Sequence, residues 1–266
     1  MKKKILNLLL ITIMSGIGFS SIAQTSQTAD FNELSPQSKK TIDAQIESFL
    51  LSHPEMLVKM SNLLQEQEIL KLKTNVLNAK SALFDSSNSA IVKREGSKIA
   101  VIEFFDYNCV YCSKVYPDVK KLMETNKDVD FVLKEFPIFA SSQPPSLNAA
   151  ATGLKILNKK GVAAYMTYHN AVYDTKHIEG ALTDKDIEKA ATLVSETPAT
   201  DKEKQQIIPL IEKNMALKNV AAIQGTPYFI IMPLNDMDPS KVQLVGGAAS
   251  YEQMQAMIDQ VKSVSN

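Results

Sequence analysis

The chain has 266 residues, 45% of them hydrophobic and 22% charged, which excludes a disordered polymer and allows one large domain or two smaller ones. Its 29 Lys and Arg balance 29 Asp and Glu, so it carries no global basic footprint for nucleic acid. Nine glycines favour long helices over a turn-rich β architecture, and two cysteines exclude both a disulfide-stapled scaffold and a zinc site made of cysteines alone.

The N-terminus reads as an address. Lys2, Lys3 and Lys4 precede a largely apolar stretch, Ile5 to Phe19, and Ser21-Ile22-Ala23 places small residues at −3 and −1 of a cleavage site. This is the three-part pattern of a secretory signal peptide over residues 1–23, and the apolar run is shorter than the ~20 residues a membrane span needs. Its removal takes three lysines and leaves 26 basic residues against 29 acidic, a net charge of −3. No cysteine follows the run to carry a lipid, so the mature protein is expected to be soluble and exported, in a compartment where disulfides form and persist.

Residues 24–40 are polar and read as a loose N-terminus. From Thr41, the apolar positions Ile42, Ile46, Phe49, Leu50, Met56, Leu57, Met60, Leu63, Leu64 and Leu70 recur at helical spacing, with a break at Pro54. Such a stripe must bury against something, and polar flanks argue that residues 24–82 form a helical oligomerisation arm. Lys98 to Phe105 then predicts a strand buried on both faces, Ser113 to Asn126 a helix, and Val129 to Phe136 a second strand, together a βαβ unit. Residues from about 141 to 215 show little β signal and predict an all-helical insertion. Strands return at Pro227 to Met232 and Lys241 to Val245, and Ser250 with Gln253 opens a closing helix.

The two cysteines, Cys109 and Cys112, fall where the first strand meets its helix. A bridge across so short a loop removes little unfolded-state entropy, so chemistry explains the pair better than stability does. At a helix N-terminus the macrodipole and free N–H groups favour a thiolate, which makes Cys109 the nucleophile of disulfide exchange. Cys112, one turn on, is the resolving thiol. No second C-x-x-C exists and His53, His169 and His177 are scattered, so no metal site is expected.

The run Glu103-Phe104-Phe105-Asp106-Tyr107-Asn108-Cys109-Val110-Tyr111-Cys112, with Gly225-Thr226-Pro227 downstream, resembles the DsbA-type thiol–disulfide oxidoreductases of the bacterial periplasm over residues 83 to about 264, within a domain expected to span 83–266. The resemblance implies an α/β thioredoxin fold interrupted by an all-helical domain, with a cis peptide at Pro227 and Thr226 turned toward Cys109 to pair with an extended substrate chain. It also implies that Glu103 and Lys134 pair beneath the cysteines and tune their redox chemistry. Where DsbA-type oxidases resemble Cys-Pro-His-Cys, this chain has Val110 and Tyr111, which implies a less oxidising pair. Tyr111, and Thr226 before the proline, are similar instead to the DsbC-type isomerases, as is an oligomerising arm.

The expectation is therefore an exported, homodimeric thiol:disulfide interchange protein with mixed oxidase and isomerase character. Its partners would be unfolded or misfolded cysteine-containing exported proteins and a membrane redox partner, with no nucleic acid. No cofactor is required, since the cysteine pair carries the redox equivalents. Two rival readings are an oligomeric holding chaperone and a thioredoxin-like copper carrier. The Met254-x-x-Met257 pair lies far along the chain from the cysteines, which argues against copper.

Overall fold

The computed structural model describes residues 34–265, so the expected signal peptide and residues 24–33 lie outside the described residues. The chain divides into two compact units, one ending at Val58 and the other beginning at Lys59. The first contains helix α1 (Pro36–Ser52), capped by Ser35, whose hydroxyl accepts from the Ser38 N–H at 3.1 Å. Five residues expected to be loose therefore join the helix, because Ser-Pro supplies a cap and a first-turn proline. No residue of α1 is buried, and Ile46, Phe49, Leu50 and Leu51 are exposed. The helix stops at His53, ahead of Pro54, and α2 (Glu55–Asn78) follows.

The second unit holds a five-stranded sheet in the order β1-β3-β2-β4-β5. Its strands are β1 (Ser89–Val92), β2 (Ile99–Phe105), β3 (Val129–Glu135), β4 (Tyr228–Pro233) and β5 (Gln243–Gly246). Only β2 and β3 run parallel, joined by α4 (Val110–Thr125); the other neighbours are antiparallel. Every residue of β2 and β3 is buried, as continuous apolar runs flanked by helices on both faces require.

Strand parity sorts the core. On one face Val101, Phe131, Phe229 and Ile231 pack against Val115, Val119 and Leu122 of α4 and against Met254, Ile258 and Val261 of α8 (Tyr251–Val264). Each such side chain contributes about 1.5–3 kcal/mol when fully buried. On the other face Ile102, Phe104, Val132 and Ile230 meet Val76 and Leu77 of α2 and Leu83 of the short α3 (Lys80–Leu83). The last turn of α2 thus belongs to the sheet's core, whereas Met60, Leu63, Leu64, Ile69 and Leu70 are exposed.

Between β3 and β4 lies the helical insertion: α5 (Pro144–Asp174), α6 (Asp184–Thr192) and α7 (Asp201–Ala216). The helix α5 is two helices joined at Gly161, whose φ of 79° a side-chain-bearing residue rarely adopts. Thr183 with Asp186, Thr200 with Glu203, and Ser250 with Gln253 form complete capping boxes at the starts of α6, α7 and α8. The fold is the mixed α/β arrangement with a helical insertion that the resemblance implies. Among the described residues no helix is long and apolar enough to cross a membrane.

Candidate active site

The strand β2 delivers the chain into a tight loop, Asp106-Tyr107-Asn108, from which α4 starts. Asp106 organises it. One carboxylate oxygen accepts from the Asn108 N–H at 2.8 Å, and the other accepts from the Phe139 N–H at 3.0 Å and the Ser146 hydroxyl at 2.7 Å. Its backbone carbonyl receives the Cys109 N–H at 3.0 Å. A single buried carboxylate therefore fixes the loop, the segment after β3 and the start of the insertion around the first cysteine.

Cys109 is the N-cap of α4, with extended backbone (φ −78°, ψ 120°), so the first free N–H groups of the helix surround its sulfur. Both cysteines are thiols and both are buried. Cys109 Sγ donates to the Thr226 carbonyl at 3.2 Å, and the Thr226–Pro227 peptide is cis, as the resemblance implies. The two cysteines titrate in opposite directions. The Cys112 thiol, donating to the Cys109 sulfur, is the main cause that holds the Cys109 pKa down at about 6; the N–H groups of Cys112 and Tyr111 add to it against the cost of burial. Cys112 has no exposure, and burial pushes its thiol well above the ordinary range, helped by its donation to Cys109. One sulfur is a ready thiolate at neutral pH and the other is a held proton.

Of the two intervening residues, Val110 is half-buried, while Tyr111 is 54% exposed with the Lys114 ammonium 5.3 Å from its ring centroid. Beside them runs a groove of about 460 Å³, walled by Tyr111, Ile138, Phe139 and Gly225, with Cys109 and Thr226 along it.

The structure does not bring Glu103 and Lys134 together. The parallel register sets Glu103 opposite Leu133 and Phe104 opposite Lys134, and alternate residues of a strand point to opposite faces. Glu103 lies on the face that carries the cysteines, where its charge raises the Cys112 pKa and its own burial raises its pKa to about 8. Lys134 lies on the other face, fully buried, and donates to the Ala82 carbonyl at 2.8 Å and to Asn88 Oδ1 at 3.2 Å. Burial lowers its pKa to about 7. The expected pair is therefore split by the sheet.

The carboxylate that shares the β3 face toward the insertion is Glu135, which the sequence reading passed over. Its Oε1 accepts from Tyr165 at 2.7 Å and from Tyr107 at 3.1 Å, and His169 Nδ1 lies 3.1 Å from the Tyr107 hydroxyl. Burial drives the Glu135 pKa well up and holds His169 neutral, at about 3. Gly153 leaves room for this cluster: a Cβ there would stand 2.7 Å from Glu135 Oε1. The cue in the sequence was the adjacent charged pair Lys134-Glu135 inside an apolar strand, of which only one member can face each side.

Among the described residues no group of three or more His, Cys, Asp or Glu side chains is placed to hold a metal. The sheet order, the helical insertion and the asymmetric Cys-x-x-Cys at a helix start form a thioredoxin-type thiol–disulfide site. The family model for thioredoxin matches residues 86–260, and the chain belongs to the thioredoxin family. Among solved structures, Salmonella enterica Typhimurium BcfH is 32% identical and matches 85% of this chain and 96% of its own, with a TM-score of 0.65. A linker-deletion mutant of Proteus mirabilis ScsC is 23% identical over 88% of this chain and 100% of its own, at a TM-score of 0.64. The thiol-disulfide exchange protein alpha-DsbA2 of Wolbachia pipientis is 20% identical over 71% of this chain and 95% of its own, at 0.57. These last two share the fold. No curated protein matches the chain.

Proposed function

We propose that the protein is an exported thiol:disulfide interchange enzyme of the bacterial periplasm that oxidises and isomerises disulfides in other exported proteins. The observation that carries this is the geometry of the pair: Cys109 caps α4 with its Sγ 3.2 Å from the carbonyl of Thr226 in a cis Thr226–Pro227 peptide, and Cys112 lies fully buried one turn on. These surroundings push the pKa of the first thiol down and that of the second up. The Cys109 thiolate attacks a substrate disulfide, forms the mixed disulfide and releases one substrate thiolate. Cys112 then gives up its proton and attacks Cys109 Sγ, which releases the second substrate thiolate and closes the Cys109–Cys112 bond. Run in reverse, the same steps oxidise a substrate dithiol. The Thr226 carbonyl beside Cys109, freed when that thiol ionises, presents a backbone acceptor to an extended substrate chain.

Val110 and Tyr111 set the poise. A tyrosine hydroxyl stabilises the thiolate less than an imidazolium would, so the pair is less oxidising than a Cys-Pro-His-Cys pair. The exposed apolar residues of α2, with Met60 at 51% and Leu64 at 60%, support an arm that pairs two copies and sets two Cys109 thiols toward one cleft. Reoxidation falls to a membrane redox partner, and no cofactor takes part.

The test is a trap. Cys112→Ala should accumulate mixed disulfides when its Cys109 thiolate attacks disulfide-bonded or scrambled substrate proteins, each attack releasing one substrate thiolate, and the adducts are visible as thiol-sensitive species by mass. Cys109→Ala should form none. Adducts through Cys112 in place of Cys109 would reverse the roles, and adducts in neither variant would refute the function.

A further inference from the structure

The groove beside Cys109 is apolar along most of its wall, with Tyr111, Ile138 and Phe139 as its large side chains. Apart from the Cys109 sulfur, whose charge is absent in the disulfide form, one charged residue lines it, Glu179, and no Lys or Arg lines it with that carboxylate. Glu179 comes from the loop between α5 and α6, so the helical insertion, and not the thioredoxin sheet, supplies it.

Its position is tied to the nucleophile. The Glu179 N–H donates to the Asn108 carbonyl at 3.0 Å, and the Gly180 N–H donates to Asn108 Oδ1 at 3.3 Å. Asn108 directly precedes Cys109 and is itself held by Asp106. The Glu179 backbone is left-handed, with φ 54°, a conformation that a residue with a long side chain rarely takes. The loop is thus built to keep this residue next to the cysteine. The nearby imidazole of His177 is engaged elsewhere, its Nδ1 lying 2.9 Å from Asp186 Oδ2.

We infer that Glu179 is a specificity-determining residue which selects substrates carrying lysine or arginine beside the reacting cysteine and disfavours those carrying aspartate or glutamate there. The inference rests on the disulfide-exchange reading above and names the substrate class for it. The physics is plain. Glu179 is exposed at the edge of the groove, and a carboxylate there, with no Lys or Arg among the lining residues, attracts a cation and repels an anion as the substrate chain approaches Thr226. A substrate bringing a basic side chain neutralises Glu179 and leaves the apolar walls to hold the flanking residues. Such steering acts over about 10 Å at 0.1 M salt, which covers a groove of this size, and fades as salt is raised.

The experiment uses the full chain in its disulfide form and three reduced peptides of equal length. Each has the same cysteine pair, with Lys, Gln or Glu on both sides of the first cysteine. In every case the peptide dithiol gives two electrons and two protons to the Cys109–Cys112 bond, leaving a peptide disulfide and two protein thiols. Acid-quenched, alkylated samples read by mass give the rate. At low salt the Lys peptide should react about tenfold faster than the Glu peptide, with the Gln peptide between them. At 1 M salt, where screening shortens to about 3 Å, the ratio should fall toward one. Glu179→Gln should collapse the low-salt ratio, and Glu179→Lys should invert it. Because each ratio is taken within one protein, a general loss of activity in a variant does not mimic the effect, and the salt dependence of the unaltered protein stands without any variant. Equal Lys and Glu rates at low salt, or a preference that persists in Glu179→Gln, would overturn the role of Glu179 while leaving exchange itself intact. No exchange with any peptide would overturn the function and this inference with it.

Discussion

Cys109 and Cys112 sit on one helical turn and differ in what surrounds their sulfurs. The first has donors on more than one side, namely the Cys112 thiol and the N–H groups that open α4; the second is held up chiefly by burial, with the Glu103 charge adding to it. Alkylation of the reduced protein by iodoacetamide should therefore rise with pH around a midpoint near 6 and label Cys109, while Cys112 stays unlabelled past pH 9. Tryptic mass mapping separates the two, and labelling of Cys112 first would contradict the assignment. Glu103 gives a second test. Its pKa is about 8 in the fold against an ordinary 4.5, so the folded state holds a proton that the unfolded state has lost between those values. The stability this contributes is present below pH 4.5 and is lost as pH rises through 8. Glu103→Gln should be close to neutral at pH 4 and increasingly stabilising up to pH 8, by at most about 1.4 kcal/mol per pH unit crossed. Urea denaturation of oxidised protein at pH 4, 6 and 8 reads it; a variant uniformly less stable would mean that the Glu103 carboxylate is paired.

At the scale of elements, much of the architecture was legible because its signals are local. Thr183 and Ser250 with their partners three residues on mark helix starts without any knowledge of the fold, and the apolar run into Cys109 marks the central strand. Other parts depend on contacts distant in sequence. The strand β1 has four residues and no alternation long enough to read, and it exists because Ala90 and Ile91 pair with Leu133 and Val132. The face taken by Lys134 depends on the register between β2 and β3, which no single strand encodes; one residue of slip would have placed it beside Glu103. Asp106 and Asn108 belong to the run that leads into Cys109, but their bonds to Phe139, Ser146 and Gly180 form only when the insertion folds against them. The helix α2 shows a gradient along its length: Val76 and Leu77 are core, while Met60 and Leu64 face solvent. If the exposed stretch pairs two copies, Met60→Glu with Leu64→Glu should convert the oligomer to monomer, because charges in an apolar seam are costly to desolvate. Sedimentation velocity on both proteins measures this, and unchanged mass would remove the arm from any interface.

At the scale of the whole molecule, a thioredoxin sheet fixes the cysteine pair and a helical insertion completes the groove beside it. Asp106 and Asn108 join the two, since their bonds reach Ser146 and Gly180 of the inserted segment. In the proposed function the Cys109–Cys112 pair cycles between dithiol and disulfide. The most direct measurement equilibrates the intact chain in glutathione buffers of graded potential, quenches with acid, alkylates the free thiols and reads the mass. The expected result is one two-electron transition between a form with two free thiols and a form with none. Its midpoint should lie below that of a Cys-Pro-His-Cys enzyme measured alongside, where ~30 mV corresponds to about 1.4 kcal/mol. Two separate one-thiol transitions with glutathione left on each cysteine, or thiols that stay reduced across the series, would contradict it.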